Sequence, residues 1–411
     1  MPITRRTALK AAAAPLVLPA RVLGLDGPPP SETVRVGTIA AGNRARQLID
    51  AMPPEGRVVA VSDCDARKLR ETQGIYGRDW PQFTDWRAMI DDASLQLDAV
   101  LIASPDHGRS LQMISACAAG LDVYAEKPLT VCVTEGRAMV DAARRHGRVV
   151  QVGTQQRTIP LNRWCCEAVQ GGRIGEVGVV HARRYDGPWP MEELPGEEPP
   201  EDLDWDEWCG PTELRPYNPR LIFDWMKWRA YSGGLMTNWG AHGVDMIQFA
   251  LGKSLTGPRE VWPLSPGLNG AAAMRYEGGP EVRFDLEKGP LGGAVFTGSK
   301  AKLEINRNRL ATNPAGFLAD APPPTKTTAE TGRDWTGPHL SDWLDCIKTR
   351  GRPNADVEIG HRSVTACHLV NIARRLGRKL TWDAEAERFE GDAEADALLD
   401  RPRRAGYELP G

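Results

Sequence analysis

The run SGGLMTNWGAHGVDMIQFALG, residues 232–252, carries three side chains able to do chemistry. Asn238, His242 and Asp245 are spaced i, i+4 and i+7, so on a helix they share one face. A neutral imidazole can take the proton of a secondary hydroxyl near neutral pH, which makes His242 a candidate base. Lys127, in the AEKPLT stretch at 125–130, is fixed beside a proline and next to an acid rather than on a helix face, which makes it a second candidate. An amide can neither carry charge nor accept a proton, so Asn238 is expected to orient the substrate or the ring. Asp245 is expected to bind a substrate hydroxyl. Two other readings compete: a core histidine on a buried helix, and an ion held by His242 and Asp245 with acids from 199–207. The second spacing arises commonly by chance, and no metal is expected.

These residues must be held against something that accepts the hydrogen. In VRVGTIAAGNRARQLI a strand turns into a helix through small residues. The dinucleotide fingerprint G-x-G-x-x-G/A falls on Ala40, Ala41, Gly42, Asn43, Arg44 and Ala45, with alanine in place of the first glycine. Gly42, where backbone must approach a pyrophosphate, is kept. Asp63 follows at the end of the next strand, where a carboxylate bonds a ribose 2'-hydroxyl and repels a 2'-phosphate. NAD is therefore expected over NADP, with Arg67 nearby leaving the latter open. Two further loops, ASPDHG at 103–108 and AEKPLT, sit at strand ends where such sheets bind ligands. Ser104, Pro105, His107, Glu126 and Lys127 join the candidate cofactor contacts.

The elements that position them are legible as two textures. From 34 to 152, short apolar β-branched runs alternate with helical patterns closed by glycine, as in a doubly wound parallel sheet covered on both faces. After residue 154, VGVVHARRYDG, AAAMRYEGG, EVRFDLEKG and GGAVFTGSKAKLEIN read as antiparallel strands, while 232–252 and 357–376 read as helices. The expectation is an α/β domain at 31–153 and an α+β domain with a large, mostly antiparallel sheet at 154–411. Residues 187–230, rich in Pro, Trp and acids, form a long excursion of a length that is more often functional than idle. Tyr217, Trp228, Arg229 and Tyr231 are its candidate substrate contacts. His361, Arg362 and His368 lie in an apolar helical run and are read as packing or interdomain contacts. Residues 314–332 read as a surface connection.

With 411 residues, a formal net charge of -3 and 26% charged residues, the chain carries no nucleic-acid footprint, and small molecules are the expected partners. Its 13 Trp against 7 Phe would suit the apolar faces of sugar rings, although core packing uses tryptophan too. The eight cysteines show no CxxC or zinc spacing and are read as buried thiols. Arg5-Arg6 before a short apolar run reads as a twin-arginine export signal within residues 1–30, which implies a periplasmic or otherwise exported protein.

The motifs taken in order, with VGTQQRT at 152–158 among them, resemble the glucose-fructose oxidoreductase and inositol dehydrogenase family (Gfo/Idh/MocA), and more narrowly its exported branch. The resemblance spans about residues 33–409. It implies tightly held NAD(H), a carbohydrate or polyol substrate, a homo-oligomer, and roles for Lys127, His242 and Gln155. The family helix commonly has Asp where this chain has Asn238, and many members of the branch have histidine where it has Arg109. An oxidoreductase acting on a secondary hydroxyl is the leading expectation. A glycosidase that oxidises, eliminates, hydrates and reduces with one recycled NAD is the alternative, and a non-catalytic sugar or NAD binder is the second.

Overall fold

The computed structural model of the chain describes residues 33–325 and 335–410. The segment read as an export signal, residues 1–30, lies outside the described residues, as do residues 326–332 of the surface connection.

Six strands come first: β1 (Val34–Ile39), β2 (Gly56–Ser62), β3 (Gln82–Phe83), β4 (Ala99–Ile102), β5 (Asp122–Ala125) and β6 (Val150–Val152). All pair in parallel, in the order β3-β2-β1-β4-β5-β6. β4 and β5 are buried at every position, as strands covered on both faces must be. The first half also forms α1 (Asn43–Asp50), α2 (Ala66–Tyr76), α3 (Trp86–Asp91), α4 (Arg109–Ala118) and α5 (Val133–Arg145). Part of the cover of β4 and β5 comes from the second half, where Leu340, Trp343 and Leu344 pack on Ala99, Leu101 and Tyr124. Strand order reverses between β1 and β4, so the loops beyond their carboxyl ends diverge and leave a crevice.

The second half contains α6 (Pro160–Gln170), β7 (Val177–Arg183), α7 (Trp205–Cys209), α8 (Pro219–Phe223) and α9 (Leu235–Ala250). Strands β8 (Glu260–Pro263), β9 (Ala272–Arg275), β10 (Glu281–Leu286), β11 (Ala294–Gly298), β12 (Lys302–Ile305) and β13 (Leu310–Asn313) follow. The chain then forms α10 (Thr336–Thr349), α11 (Val357–Leu376), β14 (Leu380–Asp383), β15 (Arg388–Phe389) and α12 (Ala393–Asp396). The nine strands make one sheet, ordered β13-β12-β11-β7-β10-β9-β8-β14-β15. Only the β7–β10 pair is parallel, so the sheet is mostly antiparallel. Along β10, Val282 and Phe284 are buried while Glu281, Arg283 and Asp285 alternate with them, the pattern of a sheet with one face against helices.

α9 is buried at most positions and lies between α11 and α6. α11 also packs on α5 of the first half, and a side chain at Gly136 of α5 would collide with the His361 ring. His361 Nε2 meets Glu387 Oε1 at 2.8 Å, and Arg137 of α5 binds both Glu358 and Glu387. These contacts fix α9 relative to the parallel sheet. All eight cysteines are free thiols, seven of them buried. α6 and α10 have no counterpart in the sequence reading.

Candidate active site

The crevice at the β1/β4 divide is a groove of about 260 Å³. Ala40, Gly42, Asn43 and Arg44 line one side, Asp63 the end of β2, and Ser104, Pro105 and His107 the loop after β4. A Cβ built on Gly42 would meet no atom within 4 Å, so the space in front of the N-terminus of α1 is open for an anionic group. Asp63 accepts the Ala41 N–H at 2.8 Å and the Asp65 N–H at 2.9 Å, which aims its carboxylate along the loop. Burial raises its pKa, against the pull of Lys68. Arg67 turns away and pairs with Asp65 at 2.7 Å. An open backbone cradle followed by a fixed carboxylate fits a dinucleotide with a free ribose diol.

Arg44 joins this groove to the next loop. Its Nε donates to Glu126 Oε1 at 2.7 Å, and Gln155, with its amide oxygen toward Arg44, accepts from Nη2 at 3.2 Å. Arg109, the departure from the family pattern, is buried and donates to the carbonyls of Ser104 and Pro128. It therefore ties the ASPDHG and AEKPLT loops together. Asp106 stands 3.4 Å from it and accepts from Ser232 Oγ at 3.0 Å, with its pKa pushed up to about 6 by burial.

Lys127 follows Glu126 and points across to α9, where Nζ donates to Asn238 Oδ1 at 3.0 Å and to its carbonyl at 3.3 Å. Burial lowers the lysine pKa to about 8, opposed by Glu126 and Asp106 and helped by Arg44 and Arg109. One turn along α9, His242 is buried and its Nδ1 has no hydrogen-bond partner. Its pKa is driven well below the usual value, first by burial and then by the cations Lys127, Arg307 and Arg44, so the ring is neutral. The result is a weakly basic amine and a neutral imidazole on facing elements, with the amide of Asn238 holding the amine.

Neighbouring side chains that the sequence reading does not single out complete the site. Trp239 lies 6.0 Å from His242 between ring centroids, with Lys127 Nζ at 5.9 Å and Arg307 at 4.9 Å from its ring. Gln156 Nε2, buried and unpartnered, flanks Gly292 beside His242. Met226 Sδ lies 2.8 Å from Asn238 Nδ2. Glu207, Trp208 and Trp225 of the excursion line the cofactor groove, together with Lys68 and Gln112. A Trp- and acid-rich excursion was the available signal for the first three.

Five expected substrate contacts need correction. Asp245 shares the helical face of His242 but is fully buried, with Arg157 Nε at 2.8–2.9 Å from both oxygens and Ser363 Oγ at 2.8 Å. With its carboxylate occupied, it anchors α9 rather than reaching a substrate. Tyr217, Trp228 and Tyr231 are buried in the core of the excursion. Trp205 stacks on Trp208 at 4.8 Å, Tyr217 stands edge-on to Trp205, and Tyr231 packs against Trp208 and His107. Tyr217 and Tyr231 are thus used on neighbouring rings, and Trp228 is buried with Arg220 over its ring. Arg229 lines a different pocket, described below.

The chain belongs to the Gfo/Idh/MocA oxidoreductase family. Residues 33–154 match the family's NAD-binding Rossmann-fold domain, and residues 185–409 match its C-terminal alpha/beta domain. The cofactor of that fold is NAD, and the groove described above is where it fits. Inositol 2-dehydrogenase 1 of Saccharopolyspora erythraea is 32% identical over 154 residues, which is 36% of this chain and 45% of the relative. The aligned part thus spans less than half of that curated protein. The fold is shared with the Azotobacter vinelandii inositol dehydrogenase homolog complexed with NADH and myo-inositol, at TM-score 0.63 and 17% identity over 86% of this chain and 98% of the other. It is also shared with the aldose-aldose oxidoreductase of Caulobacter crescentus, at TM-score 0.60 and 17% identity over 85% and 99%.

Proposed function

We propose that this protein is an NAD-dependent oxidoreductase acting on a secondary hydroxyl of a carbohydrate or polyol. The observation that carries the reading is the Lys127 amine held 3.0 Å from Asn238 Oδ1 beside a neutral His242. Bound NAD supplies the hydride acceptor. The cradle at Gly42 would hold its pyrophosphate, and Asp63 a ribose hydroxyl. Lys127 donates a hydrogen bond to the reacting oxygen and stabilises its developing charge, while His242 takes the hydroxyl proton. Asn238 positions the amine. Trp239 offers the flat apolar face that a sugar ring needs.

A second reading has its own support. Glu207, Trp208 and Trp225 of the excursion add a wall to the cofactor groove, contact that favours a retained cofactor that is recycled rather than exchanged. In that reading the enzyme oxidises one sugar and reduces another, or runs oxidation, elimination, hydration and reduction on one glycoside. The name of the Caulobacter relative speaks for the first of these. Export through the twin-arginine segment and pairing of copies through the outer face of the nine-stranded sheet belong to the same proposal. Fractionation of a tagged chain tests the first, and analytical ultracentrifugation the second.

The deciding experiment incubates purified protein with free sugars, polyols and chromogenic glycosides, with and without added NAD, following nicotinamide absorbance and aglycone release together. Reduced nicotinamide without aglycone supports a dehydrogenase or sugar-sugar oxidoreductase. Aglycone release without net reduction supports the recycling glycosidase. Cofactor binding with neither activity across the panel would leave the non-catalytic binder standing and sink the enzyme reading.

A further inference from the structure

A second pocket, of about 80 Å³, lies where α11, the end of the excursion and the loop after β5 meet. A single water needs about 10–15 Å³ on that scale, so several heavy atoms fit. Arg229 and Arg375 both line it. Among the described residues neither guanidinium has an ion pair or a side-chain hydrogen bond, whereas Arg44, Arg137 and Arg157 each meet a carboxylate. Two cations facing one cavity without a counter-charge repel each other, and an anion between them removes that repulsion.

We propose that this pocket binds a small hydroxylated oxyanion, a hydroxy-carboxylate or a phosphate ester, with its charge between Arg229 and Arg375. The acceptors on the wall match the hydroxyl. His368 is buried, and its Nε2 faces the carbonyl of Thr130 at 3.1 Å, so that nitrogen carries the proton. Its Nδ1 is then a free acceptor. Asn371 donates through Nδ2 to the carbonyl of Gly233 at 2.8 Å, which fixes the amide and leaves Oδ1 buried without a donor. Arg229 has its pKa lowered by burial and then by Arg375, with no carboxylate acting on it. A ligand here would touch residues bonded to both catalytic segments. Thr130 lies in the loop that carries Lys127, and Gly233 precedes Gly234, the N-cap of α9.

The test is calorimetric titration of the full chain with NAD saturating, so that the pyrophosphate cradle is filled, using glycolate, inorganic phosphate and uncharged glycerol as probes. One or both anions should bind with unit stoichiometry and glycerol should not. The preferred anion identifies the carboxylate or the phosphate source. Arg375 is exposed, so Arg375→Gln should fold normally and retain basal turnover while anion affinity falls about tenfold or more. Arg229→Gln should do the same to affinity. Absence of anion binding, equal binding of glycerol, or unchanged affinity in Arg375→Gln would each overturn the proposal.

Discussion

The crevice at the β1/β4 divide and the N-terminal end of α9 are the two regions to which the proposed reaction assigns cofactor and substrate, and they follow from sequence in different ways. In the crevice, function lies in backbone: an open position at Gly42, a strand end at Asp63 and loops at Ser104 and Lys127, each set by local strand-turn-helix geometry. On α9, function depends on what other elements lay across the helix. The i, i+4, i+7 spacing puts Asn238, His242 and Asp245 on one face, but seven residues also advance about 10 Å along the axis. That advance carries Asp245 past the site and under α11, to Arg157 and Ser363. Periodicity gives a face; depth comes from packing.

The largest test of that distinction removes the two groups assigned to chemistry. Lys127→Ala and His242→Ala should each lower turnover by at least about 100-fold while NAD stays bound, as loss of a charge-stabilising donor or a base does. Steady-state kinetics with cofactor retention measured separately checks both. Near-normal turnover in either variant sinks its role.

Asp245→Asn should behave in the opposite way. Leaving Arg157 buried and partly unpaired is expected to cost about 3–5 kcal/mol of stability, read as a shift in the denaturant midpoint. KM for the substrate should stay within about twofold in the folded fraction, because a single mutation far from the substrate leaves its contacts intact. A selective rise in KM with unchanged stability would restore Asp245 to the substrate site and erase the contrast.

A smaller and more diagnostic effect concerns pH. Lys127 is held at about 8, so below that value its amine is protonated and can donate but not accept, while His242 is neutral throughout. If His242 is the base and Lys127 the donor, oxidation should fall as pH rises through about 8, since the stabilising cation is lost. If Lys127 is the base, oxidation should rise through the same value. A profile of kcat/KM between pH 6 and 10 thus separates the two roles, and Lys127→Arg should remove the inflection near 8 in either case.

Much of the first half was legible because its signals are short-range. The runs starting at Val34 and Arg57 anticipate β1 and β2 to within a residue, and the reversal of strand order then places the groove. On the proposed substrate side, the sequence singled out Lys127, Asn238 and His242, which the fold brings together, and misled at Tyr217, Trp228 and Tyr231, which it buries in the excursion. Aromatic residues in a polar loop look like ligand contacts, but a long excursion needs a core of its own, and these rings supply it. Trp239, Arg307 and Gln156 gave no sign because they reach the site only through the meeting of α9, the β12–β13 hairpin and the turn at 155–158.

The smallest prediction returns to the crevice and its one departure from the fingerprint. Ala40 takes the place of the first glycine and adopts φ 82°, the left-handed region where a Cβ crowds the following carbonyl. That conformation costs a non-glycine residue about 1–2 kcal/mol, while glycine's greater freedom in the unfolded chain returns about 0.4–1 kcal/mol of it. Ala40→Gly should therefore stabilise the protein by up to about 1 kcal/mol, a rise in Tm of a few degrees at most. It should leave NAD affinity unchanged or tighter, since the backbone path at Ala40 and Gly42 is kept and only a methyl group leaves the groove. Lower stability together with weaker NAD binding would mean that the alanine methyl packs usefully in the turn. The crevice would then depend on side-chain contacts as α9 does, and the contrast between the two regions would fail at its clearest point.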